Sequence, residues 1–140
     1  MKKETFAQIL TYAGTLPFLA AVSIPLVQPQ LFGLDYGHVI LTYGAIIASF
    51  IAGTHWGIYL FRDTPLNLFI HSNIAALLAW FAVVSAIPGS AGTLIICFVY
   101  MLFVDKQLSN AGVHEDWYMR MRIIASLIVI LALSVHILFH

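Results

Sequence analysis

His55 stands in "GTHWG", Gly53 to Gly57, inside an otherwise apolar run from Tyr43 to Phe61. Imidazole can exchange a proton near physiological pH, hydrogen-bond a small ligand or ligate a metal. An ionisable group among residues this apolar is a functional candidate by default. His71 lies in a second apolar run and offers the same chemistry, and Tyr12, Asn73, Tyr100 and Ser126 place hydroxyl and amide groups in others. The bland alternative for each is a hydrogen bond between packed helices, worth about 1 kcal/mol or less.

The runs that carry these residues define the solvent. Of the 140 residues 61% are hydrophobic and only 9% charged, and mean hydropathy is +0.96. Soluble domains are near half apolar and a quarter charged, and so short a chain cannot cover this excess with its few polar residues. The composition predicts an all-α integral membrane bundle, one transmembrane domain over 1–140. Its five spans fall at about 6–27, 36–61, 66–87, 90–104 and 119–139. Asp35 is placed to cap the second span, and Thr64 with Pro65 to open the third. "IPGSAG", from Ile87, reads as a turn. Zero net charge gives no sign of a nucleic-acid partner, and the single Cys97 excludes an intramolecular disulfide.

All six basic residues, Lys2, Lys3, Arg62, Lys106, Arg120 and Arg122, fall on one side of such a bundle. The positive-inside rule then predicts a cytoplasmic N-terminus and a C-terminus outside. The first apolar run is too long for a typical signal-peptide core and is expected to stay as an anchor. A bacterial cytoplasmic (inner) membrane is the expected location.

Depth follows from this orientation. His55 is six residues from the end of the second span and His71 five from the start of the third, so each sits roughly 8–9 Å below the cytoplasmic boundary. The two histidines are expected to face each other across a helical hairpin. Tyr12, Asn73, Tyr100 and Ser126 fall at a similar depth, and the spans together form a polar layer for a proton or a small ligand. Gly44, Ala48 and Ala52, and likewise Ser49, Gly53 and Gly57, recur every four residues as helix-packing stripes. Gly53 and Gly57 also clear space beside His55. An outer set, His38, His136 and His140, raises haem ligation with His55 and His71 as the inner pair. The stretch from Asp105 to Arg122 reads as a cytoplasmic loop in which Asp105 pairs with an arginine. Trp117 and Tyr118 join the aromatic belt there, while Arg120 and Arg122 snorkel to headgroups. Hydrolase and nucleotide-binding motifs are absent, so an enzyme is the less favoured reading.

Tyr43 to Gly57, with its Gly-x-His-Trp-Gly end, resembles the signature of the domain-of-unknown-function family 3429, itself similar to the transmembrane protein 69 group. "YAGTLPFLA" (Tyr12 to Ala20), Asp105 and "WYMRMR" (Trp117 to Arg122) follow in the expected order. The resemblance implies a small multi-span membrane protein of uncharacterised activity. It adds weight to Gly14, Pro17, His55, Trp56, Gly57, Asp105, Trp117 and Arg122.

Three functions remain open from the sequence. The first is a protein that binds or conducts a proton, a quinone or a lipid-like ligand at the His55–His71 layer. The second is an accessory or assembly subunit of a larger membrane complex, or a homo-oligomer. The third is a haem- or quinone-binding redox protein. No cofactor is identified by sequence alone.

Overall fold

The computed structural model describes residues 2–85 and 89–139. The expected end of the third span at Ile87, the first two residues of the turn read there (87 and 88) and the outer histidine His140 lie outside the described residues, while Ser90, Ala91 and Gly92 of that turn are helical. Among those described, the chain forms α1 (Lys3–Ala13), α2 (Leu16–Val27), α3 (Tyr36–Phe61), α4 (Leu68–Val84), α5 (Ser90–Asn110) and α6 (Asp116–Phe139). Their outer surface is apolar: Phe50 is 72% exposed, Ile96 63% and Leu131 65%. So large an exposed apolar area suits hydrocarbon and not water. The chain is a helical integral membrane bundle. Among the described residues four stretches, 3–27, α3, α5 and α6, are long and apolar enough to cross a membrane. The fifth, α4, is a shorter apolar helix, about 25 Å long against a hydrocarbon core of roughly 30 Å.

The first span is broken. Pro17, at the start of α2, has no amide hydrogen and its ring would collide with the carbonyl four residues back. The regular helix therefore stops at Ala13 and restarts at Leu16. Carbonyls freed within a membrane need donors. The Tyr43 hydroxyl donates to the Gly14 carbonyl at 2.8 Å and the Thr15 hydroxyl to that of Tyr12 at 2.7 Å.

Three further boundaries differ from the sequence reading. The third span opens at Leu68, capped by Asn67 and not by Thr64. The Leu66 carbonyl, which a helix from Pro65 would give to Ile70, accepts the Thr64 hydroxyl instead, while the Ile70 amide turns to the Asn67 side chain. The fourth span continues past Val104 to Asn110 and the fifth begins at Asp116, so most of the expected loop is helical. Gly112 supplies the stop. At φ +77° it closes a left-handed cap in which the Val113 amide reaches back to the Leu108 carbonyl and the Gly112 amide to that of Ser109. Asp35 caps α3 as the sequence indicates, accepting from the His38 amide at 3.1 Å.

Phe18, Ala48, Ala79, Leu94, Phe98 and Leu133 form the centre of the core. The two small-residue stripes of α3 behave differently. Gly44 and Ala48 are buried, and a Cβ on Gly44 would come within 2.8 Å of a Leu94 methyl. Ser49 and Gly53 are exposed, and a Cβ on Gly53 or Gly57 would meet nothing within 4 Å. Gly44→Ala is expected to lose about 1 kcal/mol, the low end of overpacking because Leu94 can swing. Gly53→Ala should be neutral or stabilising by up to about 1 kcal/mol. Thermal unfolding of both variants in one detergent checks the contrast, and equal losses would refute it.

Candidate functional site

Asp105, on the inner face of α5, is fully buried. An ionised carboxylate accepts only, and here three side chains supply donors. His55 Nε2 from α3 lies 2.8 Å from Oδ1, and His114 Nε2 from the 111–115 connection lies 2.9 Å from the same oxygen. Arg122 Nε from α6 donates to Oδ2 at 3.0 Å. His55, His114 and Arg122 are themselves buried. Since an ionised carboxylate cannot donate, both histidines present an Nε2 hydrogen to Oδ1. The Tyr118 ring stacks on His114 with centroids 4.6 Å apart. The groups bond to one another, and no group of three or more His, Cys, Asp or Glu among the described residues is set to hold a metal ion.

The sequence-derived candidates divide around this centre. His55, Asp105 and Arg122 meet in it. His71 does not face His55: its Nδ1 is hydrogen-bonded to the Tyr100 hydroxyl of α5. Equal depth is not equal rotation about the helix axis. Asn73 is exposed and returns its amide to the Phe69 carbonyl at 2.7 Å, and Tyr12 is half-buried on α1. Arg120 is exposed as expected, but Arg122 is 5% exposed and does not snorkel. Two residues apart on a helix, they point to nearly opposite sides. Trp117 is in the first turn of α6 and donates to Glu115 at 2.5 Å. Trp56 stacks on Phe69 with centroids 4.5 Å apart. At the other end, His38 is exposed and pairs with Thr42 at 3.3 Å, and His136 lies beside Gly37. His55 Nε2 is bonded to Asp105 and His71 Nδ1 to Tyr100, so the two rings of the inner pair turn to different partners. His114 was not singled out from sequence. Gly112 was the available signal, because the cap it closes folds residues 113 and 114 back beside the last turns of α5.

A cavity of about 420 Å³ adjoins the centre, walled by α1, α2, α3 and α6 with Phe98 of α5. Phe18, Ile47, Ile51, Phe98 and Val129 make its apolar wall, and Arg122 and Ser126 its polar patch. Two buried side-chain atoms among the described residues have no hydrogen-bond partner, and they are Arg122 Nη2 and Ser126 Oγ. Leu10 and Phe50 line the same space yet are 58% and 72% exposed, so its mouth lies on the lipid-facing surface between α1 and α3. A shallower cavity of about 370 Å³, bordered by Arg62, His114 and Trp117, touches the first through Thr54 and Tyr118.

The model of the family described as protein of unknown function (DUF3429) matches residues 3–138. The chain belongs to that family. It is also similar to transmembrane protein 69 of Xenopus tropicalis, 27% identical over 135 residues that cover 91% of this chain and 51% of the frog protein. The chain thus spans about half the length of that curated relative. No solved structure matches it.

Breaking a buried ion pair from one side leaves the other charge uncompensated, typically at a cost of about 3–5 kcal/mol. Asp105→Leu or Arg122→Met alone is expected to lose that much. The double variant Asp105→Leu with Arg122→Met should lose less than either single change, because it removes both charges and keeps the volume. Unfolding of the four proteins as a double-mutant cycle measures the coupling, and additive losses would disprove it.

Proposed function

We propose that the protein takes a small hydrophobic molecule from the bilayer and holds its polar end against the Arg122–Asp105–His55 centre. The observation that carries this reading is a cavity open to lipid whose inner wall includes a buried arginine with an unpartnered N–H. Native proteins leave few such groups, and a concave, mostly apolar pocket with a few convergent polar groups is the usual form of a small-molecule site. Asp105, held by three donors, acts here as the fixed counter-charge that orients Arg122 and both histidines. In this reading the polar layer is centred on Asp105, with His71 and Tyr100 as a separate packing bond. The protein sits in a bacterial inner membrane with its basic end in the cytoplasm, supported by the gathering of Lys and Arg at that end.

A second reading, as an accessory subunit or homo-oligomer, is favoured by the outward Ser49–Gly53–Gly57 stripe. Small residues that pack on nothing within the chain suit close approach of another helix.

Native mass spectrometry of the full chain in mild detergent tests the first reading. A small hydrophobic species should accompany the wild-type protein. Thr11→Phe, which fills the cavity from α1, should lower its occupancy at least about tenfold, a loss of about 1.4 kcal/mol. His71→Ala should leave it unchanged. A ligand-free wild type held to a larger partner would favour the accessory role instead.

A further inference from the structure

Resting on the binding reading above, the geometry points to the class of ligand: we propose a single-chain lipid whose polar end is an oxyanion. Arg122 uses Nε for Asp105, while its Nη2 is buried and unpartnered. Ser126 follows one helical turn later, so the two side chains share a face of α6. It is 1% exposed, and its hydroxyl is also unpartnered. Both residues line the cavity, and each unpartnered atom, itself fully buried, reaches a ligand there by rotation of its side chain. Guanidinium nitrogens only donate, and a hydroxyl can donate. One group accepting from both satisfies the pair together.

That requirement sorts ligands by head. An ammonium brings positive charge to a guanidinium, has no lone pair to offer and leaves Nη2 unanswered. An alcohol or ketone accepts, but as a neutral partner. A carboxylate or phosphate monoester accepts at several lone pairs and forms charge-assisted bonds about twice as strong as neutral ones, in the planar geometry arginine favours. Asp105 holds Arg122 through Nε, and Nη2 is left without a hydrogen-bond partner.

The tail follows from the rest of the wall. From Tyr118 to Val129 the α6 side of the cavity covers about 16 Å, and beyond Ser126 it is bounded by Phe18, Ile47, Phe98 and Val129. At about 420 Å³ it is near the small end of ligand pockets and suits one apolar chain entering from lipid between Leu10 and Phe50. The oxyanion could belong to a fatty acid or to a single-chain phosphate ester, and the test separates these sources.

Purified full-length protein is titrated with palmitate, hexadecyl phosphate, hexadecan-1-ol and hexadecyltrimethylammonium, with occupancy read by native mass spectrometry. Palmitate or hexadecyl phosphate should bind at least about tenfold more tightly than hexadecan-1-ol, and the ammonium should not bind. The tighter of the two anions identifies the source. Ser126→Ala, which leaves the Asp105 pairing intact, should weaken the preferred anion by about tenfold, as loss of a hydrogen bond to a charged group does, and leave hexadecan-1-ol unchanged. Equal binding of the alcohol and the anions, or an indifferent Ser126→Ala, overturns the oxyanion assignment while the cavity reading stands. If no probe binds and Thr11→Phe changes nothing, the cavity reading falls with it.

Discussion

A carboxylate inside a membrane bundle has no water to solvate it, so every bond it needs must come from the protein. Asp105 meets that constraint with donors from α3, the 111–115 connection and α6. His55 lies 50 residues from Asp105 in the chain while His114 and Arg122 lie 9 and 17 residues from it, and the requirement fixes how α3, α5 and α6 approach one another at the basic end. Arg62, just past α3, adds to this end, reaching the Val113 carbonyl at 3.4 Å. Apolar packing alone is non-directional. The charge centre supplies the direction.

The break at Gly14 and Thr15 serves the same end of the molecule. It divides the first span so that α2 packs Phe18 against Tyr43 and Phe98, while α1 lies chiefly against α6. Ala7, Thr11 and Gly14 are small residues on the α1 side of the cavity, and Ala125 and Ser126 are small residues on the α6 side. Space remains there because little side-chain volume fills it. One proline, by ending a helix, thus contributes to the shape of the cavity beside the charged centre.

Composition and hydropathy made the solvent and the helical class legible, since both are sums over many residues. Rotation about each helix axis was not legible. His55 and His71 read as partners at one depth, yet one meets Asp105 and the other Tyr100. Arg120 and Arg122 read as equivalent snorkelling residues, yet only Arg120 faces outward. Helix ends inside polar stretches were hidden for a different reason. Lys106 to Asn110 look like loop by polarity, and the helix runs on until Gly112 takes the left-handed conformation. That extension brings Asp105 inside α5 and His114 to its side, so the centre of the candidate site rested on the boundary least visible in the sequence.

The pairing of Asp105 with Arg122 also bears on how the chain enters a bilayer. A helix carrying Asp105 alone is a costly span, and a helix carrying Arg122 alone is another. They are separated by 17 residues and a short connection. Side by side their charges cancel and their polar groups satisfy each other. The energetics therefore make α5 and α6 one unit of insertion, an antiparallel pair whose members enter lipid more easily together than in turn.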